Sequence, residues 1–149
     1  AWEDAALFCH KCSELTGRRV RLPTEAEWEY ACRGGAALRD IDIVTSAELA
    51  QVAWCWSNFL DTPQPIGSKK PNSLGLYDML GNALEHCQDF YNADYYAISP
   101  ELDPKNTDCN AFHIQRGGYS PRGRSFTNRA ENRNGFRIVV EVEERAPIQ

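Results

Sequence analysis

The stretch at residues 75–85 reads Gly-Leu-Tyr-Asp-Met-Leu-Gly-Asn-Ala-Leu-Glu and is rich in oxygen donors. It carries the carboxylates of Asp78 and Glu85 and the peptide carbonyls of Gly81 and Ala83. Its glycines allow the backbone to turn tightly, because glycine tolerates positive φ. Carboxylates mixed with backbone carbonyls on a curved loop suit a hard cation such as Ca²⁺. The stretch therefore indicates either a calcium-binding loop or a glycine-rich turn whose two acids are caps or solvated charges.

Size and composition predict one globular domain over residues 1–149. The chain has 149 residues, of which 42% are hydrophobic and 25% charged, as is typical of a globular protein. No apolar run approaches the roughly 18 residues that a membrane span needs. Ala1 and Trp2 already read as the first turn of a helix, which indicates a piece of a longer protein and leaves the compartment open.

The charge is unevenly distributed along the chain. The net charge of −5 argues against general nucleic-acid binding. The segment from Arg116 to Arg137 nevertheless contains six arginines, no lysine and one acid, Glu131, so it carries +5 while the remainder carries −10. Either this segment contacts an anionic group or partner, or several of its arginines pair with acids of the body and hold the fold.

The six cysteines include one CxxC pair, Cys9 and Cys12. No second CxxC or histidine pair completes a zinc site at the usual spacing. Both cysteines lie instead in a helical apolar pattern at positions 5, 8, 9, 12 and 15, which favours structural thiols. A disulfide, for example one that involves Cys109, stays open.

Local patterns predict an α+β domain with two early helices, short strands and much ordered loop. An amphipathic helix over 2–16 ends at Gly17. Thr24 begins a second helix, because Glu27 three residues later completes a capping box. The remaining pattern predicts strands at 18–22, 83–90, 112–117 and 136–142, and loops at 92–111 and 118–134. Over 36–74 no period is convincing, although Trp54 and Trp56 lie near a possible short strand.

Several blocks of the chain, in order, resemble the formylglycine-generating enzyme family, also called the sulfatase-modifying factor domains. They are Trp2-Glu-Asp-Ala with Phe8-Cys9, the run 21–32, the run 71–82 followed by Glu85, and the closing pair 116–118 and 135–137. The resemblance implies a C-type-lectin-like fold of the formylglycine-generating subtype, with short antiparallel strands.

The resemblance implies a structural Ca²⁺ and speaks against copper. In the family one calcium ion is held at the positions of Asp78, Gly81, Ala83 and Glu85, all of which match here. The family's oxidases hold Cu(I) with two thiolates in the loop after the double glycine, but residues 119–134 contain no cysteine. Arginine cannot be deprotonated to bind copper. No copper and no formylglycine-generating activity are therefore expected.

Two functions remain as hypotheses. The first is a non-catalytic module that binds a protein or small anionic ligand through the 119–134 loop; its arginine and aromatic content is compatible with a variable protein of a diversity-generating retroelement. The second is a divergent oxidoreductase-type enzyme of the family with a non-copper site. The candidate binding residues are Tyr119, Arg122, Arg124, Phe126, Asn128, Arg129, Asn132 and Arg133, flanked by Trp54 and Trp56, which are core residues in the alternative interpretation.

Overall fold

Four helices and eight short strands make up the regular structure in the part of the chain that the computed structural model describes. That part comprises residues 1–35, 46–54, 62–109, 112–118, 124–127 and 134–142, with the backbone alone at 46 and at 124–127. The elements are α1 (Trp2–Thr16), β1 (Val20–Arg21), α2 (Glu25–Cys32), α3 (Ser46–Val52), β2 (Ala53–Trp54), β3 (Leu80–Gly81), β4 (Leu84–Phe90), α4 (Tyr95–Ile98), β5 (His113–Gly117), β6 (Arg124–Thr127), β7 (Asn134–Gly135) and β8 (Val139–Val140). The predicted α+β class is confirmed. Within the described residues, no helix is long and apolar enough to cross a membrane.

α1 has the predicted bounds, and α2 begins where the sequence predicts. α1 ends at Gly17, whose φ of 67° lets its N–H donate to the Ser13 carbonyl at 2.9 Å. At the start of α2 the Thr24 hydroxyl accepts a hydrogen bond from the Glu27 N–H at 3.2 Å. The Thr24 N–H donates to the Glu27 carboxylate at 2.8 Å, which completes the capping box.

The apolar face of α1 is narrower than predicted. Ala5 and Cys9 are buried against Val20 and the residues around it. Phe8 is 48% exposed and Leu15 is 86% exposed, so the prediction that they share this buried face is wrong. At 100° per residue both lie about 60–80° from Ala5 around the helix axis, at the border of the buried stripe.

A four-stranded sheet forms the centre of the fold, with the strand order β6-β5-β4-β7. The β4–β5 and β5–β6 pairs are antiparallel, whereas β7 pairs with β4 in parallel. The structure also contains two two-stranded sheets, the antiparallel pair β1–β8 and the parallel pair β2–β3. The short strands thus pair mostly, but not entirely, in the antiparallel sense.

The segment 118–134 is not loop throughout, and this part of the sequence prediction is wrong. Its residues Arg124–Thr127 form β6, which pairs with β5 from Arg116 opposite Arg124 to His113 opposite Thr127. Phe126 and Thr127 are residues that favour strands. The glycine, proline and asparagine around them conceal that preference in a local sequence window.

Other elements also differ from the sequence prediction. α3 lies within the span 36–74, where the sequence shows no convincing period, and the four-residue helix α4 lies in the predicted loop 92–111. β2 includes Trp54 and so lies at the possible short strand of that span. Of the predicted strand 136–142 only Val139–Val140 forms a strand, β8, because it pairs with only two residues of β1, Val20 and Arg21.

The main core is built around α2 and the central sheet. Trp28, Cys32, Met79, Cys87 and Ile114 are each at most 6% exposed and pack together. Burial raises the pKa of Cys32 to about 11 and also raises the pKa of Cys87. These two thiols therefore stay protonated and act as small hydrophobic residues.

Candidate functional site

The 75–85 stretch folds as a tight connection that leads from β3 into β4. The backbone has positive φ at Gly75 (76°), Asp78 (56°), Gly81 (127°) and Asn82 (64°). Gly81 pairs with Trp54 of β2. These turns bring Asp78, Ala83 and Glu85 to the lining of one cavity.

Asp78 has one satisfied and one unsatisfied carboxylate oxygen. The residue is only 9% exposed, and its Oδ2 accepts a hydrogen bond from the Gly67 N–H at 2.7 Å. Its Oδ1 is buried and has no hydrogen-bond partner among the described residues. A buried acceptor without a donor is costly, and a hard cation would satisfy it.

Glu85 is held by three N–H donors. Its Oε2 accepts hydrogen bonds from Trp28 Nε1 at 2.6 Å and from Arg137 Nε at 2.5 Å. Its Oε1 accepts one from Arg137 Nη2 at 2.7 Å, which makes the ion pair bidentate. The same Nη2 donates to the Tyr77 carbonyl at 3.3 Å. Arg137 thus links the residue beside Asp78 to Glu85, a role that the sequence did not reveal.

The two backbone carbonyls of the predicted calcium set each accept one hydrogen bond. The Ala83 carbonyl accepts from the Gly118 N–H, and the Gly81 carbonyl from the Ala83 N–H, both at 2.9 Å. A carbonyl oxygen has two lone pairs, so each could still bind a cation.

One cavity of about 480 Å³ brings most of the predicted metal ligands together. Asp78, Ala83, Glu85 and Arg137 all line it, whereas Gly81 packs against Trp54. Nowhere in the described ranges do three or more His, Cys, Asp or Glu side chains cluster closely enough to hold a metal, so any cation here needs the carbonyls. Asp78, Glu85 and the Ala83 carbonyl are oxygen donors of the kind that Ca²⁺ prefers, and Glu85 would have to exchange Arg137 for the metal.

Two of the six arginines between 116 and 137 pair with acids of the scaffold. The buried guanidinium of Arg116 lies 3.5 Å from the Glu25 carboxylate and also pairs with Glu29. Arg137 pairs with Glu85. For these two arginines the scaffold interpretation of the basic segment is correct.

The structure positions only part of the predicted binding surface. Arg124 and Phe126 lie on β6, at the edge of the central sheet, where the backbone alone is described. Trp54 lies on β2; its indole N–H donates to the Ser68 hydroxyl at 3.2 Å, and the Lys69 ammonium lies 3.9 Å from its ring centroid. The other predicted residues lie outside the described ranges: Tyr119, Arg122, Asn128, Arg129, Asn132, Arg133 and Trp56.

The chain resembles known proteins over nearly its whole length. The family described as "Sulfatase-modifying factor enzyme 1-like domain" matches residues 1–142. The formylglycine-generating enzyme of Streptomyces coelicolor is 34% identical over 142 residues, which are 87% of this chain and 43% of that protein.

Solved structures confirm the fold. PvdO from Pseudomonas aeruginosa superposes with a TM-score of 0.78 at 25% identity, over 94% of this chain and 59% of that one. The variable protein 1 of Treponema denticola gives a TM-score of 0.63 at 29% identity, over 81% of this chain and 47% of that one. The predicted α+β fold of the formylglycine-generating subtype is thus confirmed, and the chain spans about half the length of these relatives.

Proposed function

Because the chain belongs to the sulfatase-modifying factor enzyme 1-like family, we propose that it is a non-catalytic binding module on a calcium-stabilised C-type-lectin-like scaffold. Its binding surface is the 119–134 segment. The observation that carries the proposal is that this segment contains no cysteine, so it lacks the thiolate ligands that Cu(I) selects.

The way the segment is anchored supports a binding role. Arg124–Thr127 pairs with the central strand β5, and Asn134–Gly135 pairs with β4. The segment therefore leaves and re-enters one sheet, in the way that rigid scaffolds present binding loops.

The chemistry of the segment supports an anionic ligand or an acidic protein surface. The two arginines that bracket it, Arg116 and Arg137, are paired with scaffold acids. The four arginines between them, at 122, 124, 129 and 133, supply the charge for recognition. Guanidinium groups bind carboxylate and phosphate in a bidentate manner, and arginine is enriched at the centres of protein interfaces.

The likeness to a variable protein supports a diversified surface. The Treponema denticola variable protein 1 shares the fold at a TM-score of 0.63. On the same scaffold, a variable protein of a diversity-generating retroelement would carry its variation in the 119–134 segment.

We expect the full chain to bind a small polyanion through these arginines. Calorimetry with citrate and with inorganic phosphate, and a screen of acidic peptides, are the probes. Arg122→Ala and Arg129→Ala should each weaken binding about tenfold or more, because a hydrogen bond to a charged group contributes about 1.5–3 kcal/mol. Arg19→Ala is the matched control, since Arg19 pairs with Glu141 on the exposed β1–β8 side.

Two results would contradict the binding module. One is equal binding by the arginine variants and the wild-type chain. The other is conversion of the cysteine of a sulfatase peptide incubated with the chain, measured by mass spectrometry. We expect no conversion, with or without copper. Conversion without copper would favour the alternative, a divergent oxidoreductase-type enzyme with a non-copper site.

Ca²⁺ is proposed as a structural ion that Asp78, Glu85 and the carbonyls of Gly81 and Ala83 would hold. When bound it would supply positive charge to the buried Oδ1 of Asp78, which has no hydrogen-bond partner in the described structure. It would also tie β3 to the start of β4.

Calcium should stabilise the chain, because a ligand that binds only the folded state adds free energy of unfolding by mass action. At a hundred times its Kd the gain is about 2.7 kcal/mol, or about 5–10 °C in Tm for a domain of this size. Asp78→Asn keeps an acceptor for Gly67 and tolerates positive φ, but removes the charge, so it should abolish the shift. Asp103→Asn, at an exposed position with φ of 47°, should leave the shift intact. An unchanged Tm on chelation would refute the calcium site.

A further inference from the structure

Arg137 occupies the oxygens of Glu85 that a metal would need. Its Nε and Nη2 donate to the two carboxylate oxygens at 2.5 and 2.7 Å. Together with Trp28 Nε1, three N–H donors fill three of the roughly four lone-pair positions of this carboxylate. A cation cannot take Glu85 in a bidentate manner while the guanidinium holds the same edge.

Arg137 also makes the bridge that a metal would make. Its Nη2 donates to the Tyr77 carbonyl, next to Asp78, as well as to Glu85. The guanidinium therefore connects the two ends of the proposed calcium loop. Arg137 and a divalent cation serve the same purpose here, so they are alternatives.

We propose that Arg137 is a displaceable counter-ion, which leaves Glu85 when a divalent cation binds and is released into the cavity that it already lines. This inference rests on the proposed calcium site. It adds a link between the metal and the binding segment, because Arg137 follows β7, where the 119–134 segment ends.

The rearrangement would be confined to the side chain of Arg137. β7 is paired with β4, and the Phe136 ring packs edge-on against Phe8 at 5.3 Å between centroids. The released guanidinium would share the cavity with Tyr77 and Phe136. Metal binding would thereby add an available positive charge beside the proposed anion-binding surface.

The test compares calcium affinities of the full chain by calorimetry. Arg137→Met keeps a long side chain but has no donor and no charge. It should bind Ca²⁺ about tenfold tighter than the wild-type chain or better, because it removes a competitor with two charge-assisted hydrogen bonds. Arg19→Met, which breaks the exposed pair with Glu141, should bind Ca²⁺ with wild-type affinity.

A measurement on the wild-type chain keeps the inference testable if Arg137→Met fails to fold. The Nε–H proton of Arg137, which donates to Glu85, should exchange with water faster at saturating Ca²⁺, as observed by NMR.

The outcomes distinguish the inference about Arg137 from the proposed calcium site. If the wild-type chain binds Ca²⁺ and Arg137→Met binds it no more tightly, the inference is overturned and the calcium scaffold stands. The same holds if Ca²⁺ leaves the exchange rate of the Arg137 Nε–H proton unchanged. Binding by Arg137→Met but not by the wild-type chain would show that the cation does not displace Arg137, which overturns both the inference and the calcium-stabilised native scaffold. If neither chain binds Ca²⁺, the metal site itself is wrong.

Discussion

Gly81→Ala should prevent the domain from folding stably. A Cβ on Gly81 would lie 2.1 Å from the Trp54 carbonyl oxygen, 2.8 Å from the Trp54 carbonyl carbon and 2.9 Å from its nitrogen. These are backbone atoms of the neighbouring strand, so they cannot rotate away as a side chain would. The φ of 127° adds strain for any residue with a Cβ. We expect a loss of more than about 4 kcal/mol in the free energy of unfolding, measured by urea denaturation.

Gly75→Ala is the matched control for this variant. Gly75 also has positive φ, at 76°, but its added Cβ would meet no atom within 4 Å. It should therefore cost only the left-handed backbone penalty of about 1–2 kcal/mol. Equal stabilities of the two variants would show that the close contact of β3 with β2 is absent in solution.

Asp89→Ala should be the second most damaging change. Asp89 is 2% exposed, its Oδ2 accepts a hydrogen bond from the Glu25 N–H at 2.7 Å, and its Oδ1 accepts one from the Asn106 N–H at 2.8 Å. Burial raises the pKa of this carboxyl group, while these backbone hydrogen bonds oppose the shift. Truncation leaves both buried N–H groups without their acceptor. The free energy of unfolding should fall by about 3 kcal/mol or more.

The control for Asp89 is Asp94→Ala, in the same region of the chain. Asp94 is exposed and makes no side-chain cap hydrogen bond to α4, so its removal should change stability by no more than about 0.5 kcal/mol. Asp89→Asn keeps one acceptor oxygen and should lie between the two alanine variants. A wild-type melting curve for Asp89→Ala would refute its role as the link between α2 and the loop at Asn106.

Some of the candidate site could be read from the sequence. The spacing of Asp78 and Glu85 around two carbonyls predicted an oxygen cluster, and the structure places Asp78, Ala83 and Glu85 on one cavity. The pattern could not reveal that Glu85 already has a counter-ion. Arg137 is 52 positions away along the chain, and nothing in a local window relates the two residues.

The fold likewise has some elements that the local sequence predicts and others that it does not. Thr24 with Glu27, and Gly17, set the start of α2 and the end of α1, because capping and φ preferences depend on residues only a few positions apart. β6 differs from the predicted loop because glycine, proline and asparagine conceal the strand preference of Phe126 and Thr127, and pairing with the distant strand β5 completes it.

The amino-acid sequence on its own therefore determines the caps, the turns and the oxygen-rich stretch of this protein, because these depend on residues close together in the chain. It also shows that the 119–134 segment contains no cysteine. The tertiary structure alone decides the order of the central strands and the satisfaction of each buried charge. The reason is that desolvation and pairing depend on which side chains the fold brings within hydrogen-bond distance. Glu85 and Asp78 illustrate this: similar acids seven residues apart, one held by a distant arginine and the other with a buried oxygen that no described donor reaches.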